Sequence, residues 1–96
     1  MPVLTPVNIH HSTNYDVYAG RPSILGNPFA IGKDGTRDEV VAMYEGYAWE
    51  RMGHDAAFRK ALLNCEGKRV ACFCAPRNCH VNAIGRLIAR WKAEHL

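Results

Sequence analysis

A small α/β domain is the fold class that this sequence predicts, and three observations lead to it. The chain has 96 residues, which can build one modest hydrophobic core but not two, so residues 1–96 are expected to form a single domain. Helical patterns separate short extended segments, and the chain ends on a helical pattern. We therefore expect helices packed on a short mixed sheet of about three or more strands, with a core order of strand, loop, helix, helix, strand, helix.

Three segments predict strands. Residues 3–9 alternate apolar side chains around a proline, which is typical of an edge strand, and residues 16–19 form a second short candidate. The apolar run at residues 69–74 predicts a buried third strand. Helices cover the interval between the second and third strands, so these two are expected to be parallel. The link between the first two is too short for such a crossover, so the first strand is expected to pair antiparallel or to lie elsewhere in the sheet.

Three segments predict helices. The residues Thr-Arg-Asp-Glu from Thr36 form a capping box, and the apolar stripe that follows predicts a helix ending near Gly53. Asp55 is expected to cap a second, shorter helix. A third helix is expected from Asn78 onward, with its apolar residues on one face.

Composition excludes several classes of protein. Hydrophobic residues make up 48% of the chain and charged residues 22%, which is typical of a globular protein and of neither a membrane nor a disordered one. The net charge of +3 permits a nucleic-acid partner, although the basic residues are scattered. The first residues lack the pattern of a signal peptide, so a reducing cytoplasm is expected, and no membrane partner. Exposed sheet edges would be compatible with a homodimer.

The densest chemistry in the sequence is a cluster of thiols and one imidazole at Cys72, Cys74, Cys79 and His80. One interpretation is a zinc site that uses all four residues, although their spacing differs from the usual pair of knuckles. A second is a catalytic pair, because the start of a helix favours the thiolate of Cys79 and His80 could act as its base. A third is purely structural, with small core residues and an ordinary helix start. The sequence leaves all three open.

A second candidate segment is the loop at residues 20–29. Gly20 and Gly26 permit backbone conformations that are closed to other residues, and Arg21 could bind a phosphate or carboxylate with two hydrogen bonds. Ser23 and Asn27 could add neutral hydrogen bonds. The alternative is a rigid, turn-rich loop in which Asn27 bonds to backbone groups. If the second and third strands are parallel, this loop and the cysteine cluster meet at the sheet edge where α/β proteins bind ligands.

Three motifs in order carry a resemblance to a known family. They are the loop Gly-Arg-Pro-Ser-Ile-Leu-Gly-Asn-Pro-Phe at residues 20–29, the helix start Gly-Lys-Asp-Gly-Thr-Arg-Asp-Glu at residues 32–39, and the cysteine motif at residues 72–80. Together they resemble a family of small phage and bacterial proteins known as domain of unknown function 4326. That family usually continues with glycine and an acidic residue after the Cys-His pair, whereas this chain has Val81 and Asn82. The resemblance implies that the two loops form a site and implies no activity.

Two functions are consistent with these observations. In the first, the chain binds a nucleotide, nucleobase or other phosphorylated ligand between the loop at residues 20–29 and the motif at residues 72–80, and hydrolysis by Cys79 and His80 could follow. In the second, it is a non-enzymatic accessory protein that holds zinc and binds a host protein or nucleic acid. We favour the first, because a structural zinc site has no need of a glycine loop that carries an arginine.

Overall fold

The computed structural model describes residues 3–10, 13–21, 23–72 and 79–95, and it confirms a small α/β domain with three helices and a three-stranded sheet. In chain order, the elements are β1 (Thr5–Asn8), β2 (Val17–Tyr18), α1 (Arg37–His54), α2 (Ala56–Leu63), β3 (Arg69–Cys72) and α3 (His80–Glu94). The end of the predicted third strand, residues 73–74, lies outside the described residues. Within the described ranges, no helix is both long and apolar enough to cross a membrane.

The sheet has the strand order β1-β3-β2, and β3 pairs parallel with both of its neighbours. Of the two alternatives for β1, antiparallel pairing in a mixed sheet was therefore wrong, whereas a place elsewhere in the sheet is confirmed, because β3 separates β1 from β2. The strands are so short that β1 ends opposite Cys72 and β2 begins opposite Val70. To reach the start of β2 from the end of β1, the chain must return only about 7 Å along the strand direction and move about 10 Å across the sheet. A link of eight residues can span roughly 26 Å, so it needs no helix to make this crossover.

Backbone hydrogen bonds explain how a proline fits into β1. The amides of Thr5 and Ile9 donate to the carbonyls of Lys68 and Cys72, both at 2.9 Å. Alternate residues of a strand face alternate sides, so the amide position of Pro6 faces away from β3. The missing N–H of proline therefore removes no bond of the sheet and leaves the outer edge of β1 with one donor fewer.

An ion pair fixes the two-residue strand β2 on the start of β3. The amide of Asp16 donates to the carbonyl of Arg69 at 2.8 Å, and the carboxylate of Asp16 accepts from the amide of Arg69 at 2.9 Å. The Arg69 guanidinium adds two bonds to the same carboxylate, at 3.2 and 3.1 Å. These contacts set the register that places Gly20 beyond the end of β2.

The helix starts follow the predicted caps. Thr36 and Glu39 form the capping box of α1, with each side chain accepting from the other residue's amide at 3.3 and 2.9 Å. The helix continues one residue beyond Gly53. Asp55 caps α2, and its carboxylate accepts from the amide of Phe58 at 3.0 Å. The third helix begins at His80 with Cys79 as its cap, later than the predicted start at Asn78, which lies outside the described residues.

The core lies between the helices and one face of the sheet. Tyr44, Phe58, Leu62, Val70 and Ile84 are all completely buried. The hydroxyl of Tyr44 donates to the carbonyl of Leu25 at 2.9 Å, which holds the loop after β2 against α1. Burial raises the pKa of this tyrosine well above its usual range, so its hydroxyl remains a donor.

We expect Asp55 to make the stability of the fold sensitive to acid. Its hydrogen bond from the amide of Phe58 and its contact with Arg51 lower its pKa below 3.8 in the folded state. The stabilisation is therefore present above the unfolded pKa and is lost as the pH falls through the folded one. Urea unfolding at pH 7 and pH 3 should show a smaller acid-induced loss of stability for Asp55→Asn than for the wild type. Asp55→Ala should be less stable than Asp55→Asn at pH 7, because asparagine can still cap a helix. An Asp55→Asn variant with the acid sensitivity of the wild type would contradict this account.

Candidate functional site

A cavity of about 490 Å³ opens at the edge where β2 and β3 end. Six of the residues predicted from the sequence line it, and they come from both candidate segments: Gly20, Arg21, Asn27, Cys72, Cys79 and His80. The loop after β2 therefore meets Cys72, Cys79 and His80 at one site. This meeting was expected, because the parallel strands β2 and β3 end at the same edge of the sheet.

Six further lining residues were not among the individual candidates, although the first of them belongs to the predicted loop at residues 20–29. They are Phe29, Ala30, Ile31, Arg37, Val40 and Val41. Among them, Arg37 is the first residue of α1. A helix that follows a strand in a parallel crossover begins at the carboxyl edge of the sheet. That topological signal could have placed the first turn of α1 in the site.

His80 connects the two halves of the site. Its Nε2 atom lies 2.6 Å from the carbonyl oxygen of Ala19, and its ring packs edge-on against that of Tyr44 at 5.1 Å between centroids. A carbonyl oxygen can only accept, so Nε2 carries the proton and Nδ1 is the acceptor of a neutral ring. Burial lowers the pKa of His80, and the nearby charge of Arg21 lowers it further, although the bond to Ala19 opposes both effects. His80 is therefore held neutral near physiological pH.

Cys79 and Cys72 bring two thiols together on the wall of the cavity. Their Sγ atoms are 3.0 Å apart, and each residue is almost completely buried. The Sγ atom of Cys79 accepts from the amide of Val81 at 3.4 Å, while the amide of Cys79 donates to Oδ1 of Asn82 at 3.1 Å. Cys79 and Asn82 thus form a capping box at the start of α3. Asn82 thus provides a neutral capping partner at the start of α3.

Asn27 holds the loop against α1. Its Nδ2 donates to the carbonyl of Val40 at 3.2 Å, and its Oδ1 accepts from the amide of Phe29 at 2.9 Å. These bonds to backbone groups match the structural alternative considered for this residue. Its buried side chain still forms part of the cavity wall.

Three other predicted residues, Gly20, Ser23 and Gly26, determine the backbone conformation of the loop. A Cβ atom on Gly20 would come 2.3 Å from the hydroxyl oxygen of Tyr18, so a larger residue here would require the tyrosine ring to move. Ser23 and Gly26 are not among the cavity-lining residues. Their amides donate to the carbonyls of Gly20 and Ser23 at 2.9 and 3.0 Å, which folds the loop into two successive turns. These turns present Arg21 at the mouth of the cavity.

The predicted zinc ligands are brought together in part. Cys72 and Cys79 adjoin each other, but the Nε2 atom of His80 is bonded to Ala19. Cys74 lies outside the described residues. Among the residues that the structure does describe, no group of three or more histidine, cysteine or acidic side chains could hold a metal ion. The described part of the predicted set therefore offers two adjacent thiols.

The electrostatics of the cavity favour an anion. Arg21 and Arg37 line it, and no aspartate or glutamate is among its described lining residues. The first residues of α1 and α3 also lie on its wall, and the amino ends of helices carry partial positive charge. An acidic group that binds here would lie beside two guanidinium groups.

Comparison with known proteins gives a family without an assigned activity. Neither the curated proteins nor the solved structures contain a match to the chain. The family described as Domain of unknown function (DUF4326) matches residues 7–90, which include every described residue of the cavity wall. The chain therefore belongs to this family.

Proposed function

We propose that the cavity binds a small phosphorylated ligand of the nucleotide type. The observation that carries the proposal is the composition of its wall, which combines two arginines, no described carboxylate and a continuous set of apolar side chains. A volume of about 490 Å³ is within the usual range for pockets that bind small molecules.

The arginines would bind the phosphate. Arg21 lies in the turn after β2, and Arg37 lies at the start of α1. Guanidinium groups match the geometry of phosphate oxygens and donate two parallel hydrogen bonds to them. The amino ends of α1 and α3 would add backbone dipoles of the same sign.

The apolar side chains would contact the base or another flat part of the ligand. Val40 and Val41 form a buried wall, while Phe29 is partly buried and packs edge-on against Tyr47. Ile31 also lines the cavity, although 53% of its surface is exposed. A large aliphatic side chain that is exposed beside an apolar cavity supports a ligand that would cover it.

His80 and Cys79 would lie at the reactive part of the ligand. The neutral ring of His80 has Nδ1 as its proton acceptor, which is the form that a general base needs. Hydrolysis of the bound ligand, with His80 activating water or the thiol of Cys79, is the catalytic extension of the proposal.

The arginines provide the first test. Arg21→Ala and Arg37→Ala should each weaken binding of a nucleoside monophosphate by roughly ten- to a hundredfold, because each removes charge-assisted hydrogen bonds. Isothermal titration calorimetry measures this effect. Arg86→Ala is the matched control, since Arg86 is exposed and pairs with Glu45 on the surface at 2.8 Å. Equal affinity of all three variants and the wild type would contradict the proposed phosphate site.

His80 separates binding from hydrolysis. We expect His80→Gln to keep a side-chain donor near the carbonyl of Ala19 but to lose the proton acceptor of the ring. The variant should bind the nucleotide nearly as well as the wild type and should release no inorganic phosphate from it. If His80→Gln releases phosphate at the rate of the wild type, His80 is excluded as the base. If the wild type itself releases no phosphate, the function is limited to binding.

A second candidate function is that of a non-enzymatic zinc protein which binds a host protein or nucleic acid. The observation in its favour is the adjacency of the Cys72 and Cys79 thiols, because thiolates are preferred zinc ligands. Zinc would act here as a structural tie between β3 and α3. Elemental analysis of protein purified without added metal or chelator distinguishes the two functions, since this one requires close to one zinc per chain.

A further inference from the structure

The closest contact between thiols in the described chain joins the end of β3 to the start of α3. Cys72 is the last residue of β3, and Cys79 caps α3. Their Sγ atoms are 3.0 Å apart, and the two residues are 1% and 2% exposed. The small exposed surface of both faces the cavity.

The separation of the two sulfur atoms can be compared with the geometries of two kinds of thiol chemistry. Two thiolates on one tetrahedral zinc ion lie about 3.8 Å apart, because each Zn–S bond is about 2.3 Å long. A disulfide has its sulfur atoms about 2.05 Å apart, so this pair would need to close by about 1 Å. The observed 3.0 Å lies between the two values and brings the thiols into direct contact, so a disulfide requires only this small closure.

Cys79 lies at the start of a helix, where the helix dipole favours a thiolate. Cys79 Sγ accepts a hydrogen bond from the amide of Val81 at the amino end of α3, which favours the thiolate and makes Cys79 the attacking group. Cys72 lies beside it as the resolving thiol. Cys65 provides the contrast, because it is absent from the cavity wall, and burial raises its pKa to about 11.

We propose that Cys72 and Cys79 form a reversible disulfide when hydrogen peroxide enters the cavity. The thiolate of Cys79 attacks one peroxide oxygen, the O–O bond breaks, and Cys79 becomes a sulfenic acid while the other oxygen leaves as water after protonation. The sulfur of Cys72 then attacks the sulfenic sulfur, the S–O bond breaks, and a second water leaves with the thiol proton. The two cysteines lose two electrons, and hydrogen peroxide gains them. This chemistry is independent of the proposed nucleotide ligand.

The test uses the full chain, stripped of metal with a chelator and treated with one equivalent of hydrogen peroxide. After alkylation of the remaining thiols, mass spectrometry should show a chain with one internal bond, and peptide mapping should place that bond between Cys72 and Cys79. Dithiothreitol should restore both thiols. Cys65→Ser is the matched control and should form the same bond at the same rate.

Variants of the pair identify the order of the steps. In Cys72→Ser, the bond should be lost, and dimedone should trap a sulfenic acid on Cys79. Cys72→Ala replaces the serine variant if that variant does not fold. Peptide mapping of the wild-type chain tests the disulfide without either variant. A bond from either cysteine to Cys74, oxidation of Cys79 without a bond, or two thiols that stay unreactive in the metal-free chain would each overturn the proposal.

Discussion

The hydrogen bond between His80 and the carbonyl of Ala19 is the contact on which the site depends. It joins residues 61 positions apart and ties the start of α3 to the loop after β2. Because both groups are buried, loss of either partner would leave the other unsatisfied away from water, at a cost of about 1–3 kcal/mol. The same bond fixes the tautomer of His80. Position and tautomer thus have one cause, whereas burial is the main reason that the pKa of the ring is lowered.

Two further contacts complete this arrangement from the side of α1. The side chain of Asn27 bonds to the carbonyl of Val40, and the hydroxyl of Tyr44 bonds to the carbonyl of Leu25. The loop after β2 is therefore held by α1 as well as by α3, and Arg21 and Arg37 come to the same cavity. Folding thus places two cations and two helix ends around one apolar space.

Features that depend on neighbouring residues were predictable from the sequence, whereas features that depend on contacts between residues far apart in the chain were harder to predict. The caps at Thr36 and Asp55 follow from neighbouring residues, and the meeting of the two loops follows from one parallel pair of strands. The parallel pairing of β1 was missed because the sequence does not show how short the strands are. Arg37 was missed because its position at the sheet edge depends on topology. The role of Asn27 depends on Val40, which is 13 residues away.

The central claim is that the cavity at the ends of β2 and β3 binds a phosphorylated ligand through its arginines. The most direct measurement is a titration of the isotopically labelled chain, followed by amide NMR, with a nucleoside monophosphate and with the same nucleoside lacking phosphate. The account predicts saturable shifts at Gly20, Arg21, Ile31, Arg37 and Val40 with the monophosphate, and much weaker ones with the nucleoside. Shifts elsewhere on the chain, or equal responses to both compounds, would contradict it.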